Sequence, residues 1–357
     1  VALPEGLIRF RNRLLSNSRV LEAAQRTWLG RWIARRKSIQ LYDIIAGFTY
    51  TQCLLACAQL NVLEHIGLEG CTDEALSERT GLPKDRCRVL IRSALALDIL
   101  TRVGSKLHLG RHGAALVAQP WILQFVAHHN HFYRDLLDPV ALLQAQTPPG
   151  ALRSYWAYEN DSADKTAYTL LMQATQRAVA DQVLGAYNFK RHRQLLDVGG
   201  GTGAFAQAVG ERYQELALHV FDLPTVASMP AAPGKSALTR HAGDFRNDPL
   251  PGGMDIITLV RVVHDHDDHV VKDLLRKARG ALAPRGTLLI AEPFSGRRGT
   301  AKVADSYFGF YFLAMGQGRI RTPGEIAHLA SGLGFSEPVL LPTSLPAIVE
   351  VMTLTAI

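Results

Sequence analysis

The chain has 357 residues, 47% of them hydrophobic and 20% charged. That is too apolar for a disordered protein, and at roughly 150 residues per domain it is long enough for two. Its net charge of +7 is concentrated at the start: Arg9, Arg11, Arg13, Arg19, Arg26, Arg31, Arg35, Arg36 and Lys37 face only Glu5 and Glu22, and the rest of the chain balances.

Residues 1–37 therefore read as a basic, partly amphipathic arm, with Leu14, Leu15, Val20, Leu21, Trp28, Leu29, Trp32 and Ile33 as its apolar material. Two uses are open: lying on an anionic membrane surface, or packing on a partner subunit with the arginines solvated. No run of about 18 consecutive apolar residues occurs, so no membrane-spanning helix is expected. The first residues lack an apolar run ending in a small-residue cleavage site, so no signal peptide is expected either.

Residues 38–117 have a helical pattern. Ile44, Phe48, Leu54, Leu55 and Leu60 suit one long apolar helix that also carries Cys53 and Cys57. The four cysteines, with Cys71 and Cys87, form no CxxC pair and read as buried thiols. Thr72 can cap a helix that Gly81 ends, and a second helix follows from about Lys84 to Leu97. Ile99–Val103 and Lys106–Leu109, separated by Gly104-Ser105, suggest a hairpin. Two helices and a hairpin make a winged-helix pattern. A DNA-binding use has weak support: Lys84, Arg86, Arg88 and Arg92 share the second helix with Asp85, and the chain beyond the arm is neutral.

Residues 118–190 read as helical and aromatic-rich, with Trp121, Phe125, Phe132, Tyr133, Trp156, Tyr158 and Tyr168, broken at Pro148-Pro149-Gly150. From about 191 short apolar runs alternate with helical stretches. Strands are expected at 195–198, 217–221, 238–242, 256–262 and 287–291, then near 338–342 and 348–355. Alternation implies a parallel sheet, and the closing pair implies an antiparallel edge.

Leu195-Leu-Asp-Val-Gly-Gly-Gly-Thr-Gly203 joins the first of these strands to a helix near Ala204. Gly199, Gly201 and Gly203 make GxGxG, with Gly200 between. Such a turn is either merely tight or a place where a ligand lies on bare backbone. Asp197 before it can accept a bond from an ammonium group. Asp222, followed by Leu223, ends the second strand, where an acid can hold both ribose hydroxyls. Asp244 and Phe245 end the third, where they can offer adenine a hydrogen bond and an aromatic face. Three acids at three successive strand ends fit ligand binding at the carboxyl edge of a parallel sheet.

Val260-Arg-Val-Val-His264-Asp-His-Asp-Asp-His269 closes the fourth strand. It can be a solvated end with Asp267 or Asp268 capping a helix near His269. It can be a metal site, although neighbouring side chains on a turn diverge and only His128-His129-Asn130-His131 offers a distant second group. It can present a neutral imidazole as general base.

Together these segments resemble the class I S-adenosylmethionine-dependent O-methyltransferases that join an N-terminal winged-helix dimerisation domain to a Rossmann-like, mostly parallel seven-stranded sheet. The resemblance implies S-adenosylmethionine as cofactor, S-adenosylhomocysteine as product and no metal. It implies a homodimer, and no nucleic acid as partner. His264 matches the base of the family's His-Asp-Trp-x-Asp motif, with His266 at the tryptophan position. Arg261 stands where many relatives place a lysine near the adenosine. Glu292 matches one acid that orients the base. The second belongs to a Lys/Arg-Glu-Arg-Thr segment that reads Arg319-Ile320-Arg321-Thr322 here, so Ile320 replaces it; Glu325 is near but unmatched. The aromatic stretch with Tyr307, Phe308, Tyr311, Phe312 and Met315 matches the helix that lines the acceptor pocket.

Within the family, the basic arm, Leu41–Gln52, Arg261–Asp268 and Met315-Gly-Gln-Gly-Arg319 most resemble the branch that methylates acyclic hydroxycarotenoids in purple photosynthetic bacteria. That implies a lipophilic acceptor with a tertiary hydroxyl and a cytoplasmic enzyme, with a possible peripheral contact to the photosynthetic membrane. A phenolic or polyketide acceptor, or C-methylation of a bacteriochlorophyll precursor, remains open. The expected segments are thus the arm at 1–37, the winged-helix domain at 38–117, a helical linker and pocket region at 118–190, and the catalytic domain at 191–357.

Overall fold

A computed structural model describes residues 4–146, 150–156 and 163–357, with side chains omitted at 155–156 and 163–174. Pro148, Pro149 and Tyr158, and the side chains of Trp156 and Tyr168, lie outside the described residues. The chain divides into two compact units, one ending at Ala127 and the other beginning at His128.

The first unit starts with α1 (Glu5–Leu15), α2 (Ser18–Gln25) and α3 (Trp28–Gln59). Asn17 caps α2 by accepting from the Arg19 and Val20 amides, and Thr27 caps α3 by accepting from the Gly30 amide. The expected boundary at 37/38 falls inside α3, because nothing between Arg35 and Gln40 breaks the helical phase. At 32 residues, α3 is also long and apolar enough, by length and composition, to cross a membrane. The sequence reading had set that aside; Asp43 is the only acid or base from Ser38 to Gln59, and scattered Thr, Tyr and Gln residues hide the run.

Then follow α4 (Val62–Ile66), α5 (Asp73–Thr80), α6 (Lys84–Ala96), the antiparallel hairpin β1 (Leu100–Val103) and β2 (Lys106–Leu109), and α7 (Arg111–Ala118). Thr72 accepts from the Ala75 amide and Gly81 closes α5 in the left-handed region, as their positions predict. Leu63, Ile66, Leu76, Ile91, Leu100 and Leu107 form the core with all four cysteines, which are free. Each such aliphatic side chain, fully buried, contributes about 1.5–3 kcal/mol.

The helix α8 (Trp121–Asp135) runs across the division. The second unit continues through α9 (Pro139–Leu143), α10 (Ala151–Trp156) and α11 (Ala163–Ala186) into β3 (Gln194–Val198), α12 (Ala204–Arg212), β4 (Ala217–Asp222), α13 (Pro224–Ala227), β5 (Leu238–Ala242) and β6 (Met254–Val260). A 3-10 turn, Val263–Asp265, leads to α14 (Asp268–Ala281) and β7 (Leu282–Glu292). A π-helical turn, Lys302–Phe308, runs into α15 (Gly309–Met315), and α16 (Pro323–Ala330), β8 (Val339–Leu341) and β9 (Glu350–Thr355) complete the chain.

Seven strands order as β5-β4-β3-β6-β7-β9-β8. The first five are parallel; β9 is antiparallel to both β7 and β8. Alternate residues serve opposite faces. Leu196, Val198, Ile257, Leu259, Leu288 and Ile290 pack with α14 and α16, whereas Leu195, Ile256, Val260 and Leu289 pack with α11 and α12. The strand order reverses between β3 and β6, which opens a crevice at their carboxyl ends.

Candidate active site

Five residues turn the chain from β3 into α12. Gly199, Gly201 and Gly203 all have positive φ, at 69°, 60° and 87°. A Cβ on Gly199 would come within 2.8 Å of Val262, so the turn lies directly against the segment leaving β6. A Cβ on Gly201 would meet nothing within 4 Å, which leaves its backbone bare.

Asp222, at the end of β4, locks this turn. Its two oxygens accept from the Gly201 amide at 2.7 Å and the Leu223 amide at 2.8 Å, and each keeps a lone pair for a further donor. Burial pushes its carboxyl above the usual range. Asp197 is buried under the turn. One oxygen accepts from the Thr258 hydroxyl at 2.7 Å; the other has no partner among the described residues and would sit 2.5 Å from a Cβ on Gly200. Burial raises its pKa to about 7. An orphaned buried acceptor, a bare glycine backbone and a strand-end acid fit a cation that carries an ammonium group and a ribose, and S-adenosylmethionine is such a cation.

Asp244 stands at the expected strand end, but its carboxylate already accepts from the Arg246 amide and guanidinium and from Asn247. A direct bond from this side chain to adenine would compete with that local turn. Phe245 packs edge-to-face against His266, with ring centroids 5.1 Å apart. Arg261 takes the left-handed region at φ 57°, unusual for a side chain of its size. Its guanidinium donates to the Thr175 hydroxyl and the Gln176 carbonyl on α11.

The three histidines after β6 part company. His269 is exposed, His266 faces Phe245 and His264 is buried in the 3-10 turn. The His264 amide donates to Glu292 at 3.1 Å. Around the imidazole, Nδ1 lies 3.4 Å from Glu292 and Nε2 lies 3.3 Å from Asp265. Burial, reinforced by the positive charges of Arg261 and Arg321, drops the His264 pKa to about 3. Burial also raises Asp265 and Glu292 to about 8 each. Burial thus favours the uncharged form of the imidazole and the protonated form of both neighbouring carboxyl groups. Asp267 stands at the N-terminus of α14, yet its side chain caps nothing there and accepts instead from the Gly318 amide.

Arg321, which the sequence reading passed over, is fully buried. It donates to the carbonyls of Val263 and His266 and to Asp268, spanning the turn that carries His264. Two residues earlier in the same loop, the Arg319 amide donates to the His264 carbonyl. Ile320 packs with the aromatic cluster and Glu325 closes a capping box with Thr322, so neither puts a carboxylate beside His264.

Tyr311, Phe312 and Met315 are buried with Phe132 and Leu152, and Tyr307, Phe308 and Ile320 pack on them. The Phe312 ring lies 5.0 Å from the His264 ring, which joins His264 to this wall. His128 pairs with the Tyr311 hydroxyl at 2.9 Å and His129 with the Tyr307 hydroxyl at 2.6 Å. The sequence reading had weighed these histidines only as metal ligands; a helix-spaced match between adjacent histidines and two tyrosines four apart was the signal available.

Residues 133–336 match the model of the O-methyltransferase domain family. The chain is 41% identical to demethylspheroidene O-methyltransferase of Cereibacter sphaeroides, over 98% of this chain and 95% of that one. It is 38% identical to demethylspheroidene O-methyltransferase of Rhodobacter capsulatus, over 97% and 90%. Among solved structures, human N-acetylserotonin methyltransferase in complex with SAM superposes with a TM-score of 0.75 at 21% identity, covering 90% of this chain and 97% of that one. The calicheamicin-biosynthesis methyltransferase CalO1 superposes with a TM-score of 0.77 at 22% identity, covering 90% and 98%.

Proposed function

Because the chain belongs to the O-methyltransferase family, we propose that it methylates the tertiary hydroxyl at one end of an acyclic hydroxycarotenoid. The observation that carries the acceptor is near full-length similarity to two demethylspheroidene O-methyltransferases. The aromatic wall beside His264, with Ile320 in place of a carboxylate, supports a lipophilic acceptor.

The enzyme depends on S-adenosylmethionine, which supplies a methyl group activated by its sulfonium. Asp197, the bare Gly199–Gly203 turn and Asp222 would hold it, with Leu223, Phe245 and Arg261 around them. The residues around it would orient the acceptor hydroxyl towards that methyl group and exclude water. His264 would accept the hydroxyl proton during methyl transfer. A tertiary alcohol is a very weak acid, so proton removal accompanies transfer rather than preceding it. Glu292 and Arg321 fix the turn that presents the imidazole.

A homodimer formed through the first unit and a cytoplasmic location belong to the same proposal. The acceptor partitions into lipid, so the enzyme works peripheral to the membrane that holds it. The test incubates the protein with methyl-labelled S-adenosylmethionine and a detergent-dispersed panel: a 1-hydroxylated acyclic carotenoid, a catechol-type phenol and a bacteriochlorophyllide. Label on the carotenoid oxygen is expected. Label on the phenol or the tetrapyrrole instead would overturn the acceptor while leaving family and cofactor in place.

A further inference from the structure

The arm carries a surface that the first unit does not bury. No residue of α1 or α2 is buried, and in α3 burial is confined to Cys53, Leu55 and Cys57. Along α1, Leu7, Phe10 and Leu14 share one face while Arg9 and Arg13 share another. At the start of α3, Trp28, Leu29, Trp32 and Ile33 form an apolar strip bordered by Arg31 and Arg35, with the Arg36 guanidinium 5.7 Å from the Trp32 ring centre. Phe10, Trp28 and Trp32 are 61%, 75% and 55% exposed.

Charge decides what covers this surface. Nine basic residues against two acids give the arm the whole net charge of the chain. A second copy of the arm would set equal positive charge against it, and a nucleic acid would leave the tryptophan strip in water. Anionic headgroups satisfy the arginines while the adjoining acyl region takes up the aromatic and aliphatic side chains. We propose that residues 5–37 form a docking surface for an anionic lipid bilayer, with the helices lying in its headgroup layer. This deepens the peripheral location already proposed. Its test reads lipid binding rather than methylation, so either reading can fail alone.

The full-length protein is floated with vesicles of phosphatidylcholine alone and of phosphatidylcholine with about a quarter phosphatidylglycerol. Partition into the anionic vesicles only, with release at high salt, is expected. Joint replacement Arg31→Gln, Arg35→Gln and Arg36→Gln should weaken partition on the order of a hundredfold. Trp28→Ala with Trp32→Ala should weaken it too. Both variants alter exposed side chains, so their melting temperature and their methylation of a detergent-dispersed acceptor should match the parent. Equal partition into neutral vesicles, or none into either kind, overturns the proposal. So does protein that resists alkaline carbonate extraction, which would make α3 a spanning helix. The proposal also fails if the tryptophan variant turns an oligomer into monomers in light scattering while vesicle binding is unchanged; the strip would then be a contact between copies.

Discussion

Burial favours the neutral form of the His264 imidazole, so the proposed use as a base does not depend on titrating it near neutral pH. His264→Gln keeps a polar side chain of similar reach but gives a far weaker base. It should lower kcat by about 100- to 10,000-fold, with affinity for S-adenosylmethionine in calorimetry near that of the parent. Near-normal turnover would remove the base assignment. Glu292 separates charge from hydrogen bonding. Its carboxyl is held protonated by burial and accepts the His264 amide. Glu292→Gln therefore retains an acceptor and should cost less than about tenfold in kcat. Glu292→Ala strands a buried amide and should cost about 1–3 kcal/mol in stability. If the glutamine variant were as inactive as the alanine variant, the negative charge itself would be required.

Asp197 gives a pH prediction with a definite sign. Its pKa stands near 7 and one oxygen has no partner among the described residues, so it becomes a full anion as pH rises through 7. A cationic ligand should bind more tightly from pH 6 to 8, by at most about tenfold per pH unit below the pKa. Asp197→Asn should flatten that dependence and weaken binding throughout. Calorimetric titration at several pH values reads both effects, and an unchanged slope in the variant would place the titrating group elsewhere.

At the scale of elements, the glycine turn separates backbone strain from occupied space. Gly201→Ala must hold φ 60° but collides with nothing, so the fold should survive at a cost of about 1–2 kcal/mol. Its methyl group projects where ligand would lie, so cofactor affinity should fall by more than the melting temperature suggests. Gly199→Ala adds a clash with Val262 at 2.8 Å and should destabilise more. Melting curves with and without S-adenosylmethionine compare the two. Equal loss of stability and of binding in both variants would mean that the turn is only structural.

Elements whose pattern and role agree were legible in the sequence. Buried parallel strands read as short apolar runs, and Thr72 with Gly81 marks both ends of α5. What escaped had a local signal at odds with its role. β7 begins at Leu282, five residues before the expected 287, because Pro284, Gly286 and Arg285 at φ 61° read as a loop; the pairing with β6 shifts register there. Within the site, the acids at the ends of β3 and β4 and His264 were legible, because a charged side chain closing an apolar strand needs a reason to be there. Arg321 was not. Its partners are mostly backbone carbonyls, and an acceptor supplied by backbone leaves no trace in residue types.

For the whole molecule, the buried titratable groups set how stability depends on pH. Asp197, Asp265 and Glu292 have pKa values raised from about 4 to about 7–8 in the fold. Between those limits the folded chain holds protons that the unfolded chain has lost, so these groups lower stability as pH rises. His264 acts in the opposite sense. Its pKa falls from 6.5 to about 3, so its contribution grows with pH up to 6.5 and is then constant. Just above pH 6.5 the carboxyl groups carry the change, and the melting temperature of the cofactor-free protein should fall from pH 6.5 to 8; the Cys57, Cys71 and Cys87 thiols, whose pKa values are also raised in the fold, continue the fall at higher pH. Asp265→Asn with Glu292→Gln removes two of the three titrations and should leave most of the fall absent. A cationic ligand beside Asp197 favours its ionised form, so saturating S-adenosylmethionine should stabilise the protein more at pH 8 than at 6.5. A melting temperature that stayed level across this window without cofactor would mean that these carboxyls are already ionised in the fold at pH 6.5.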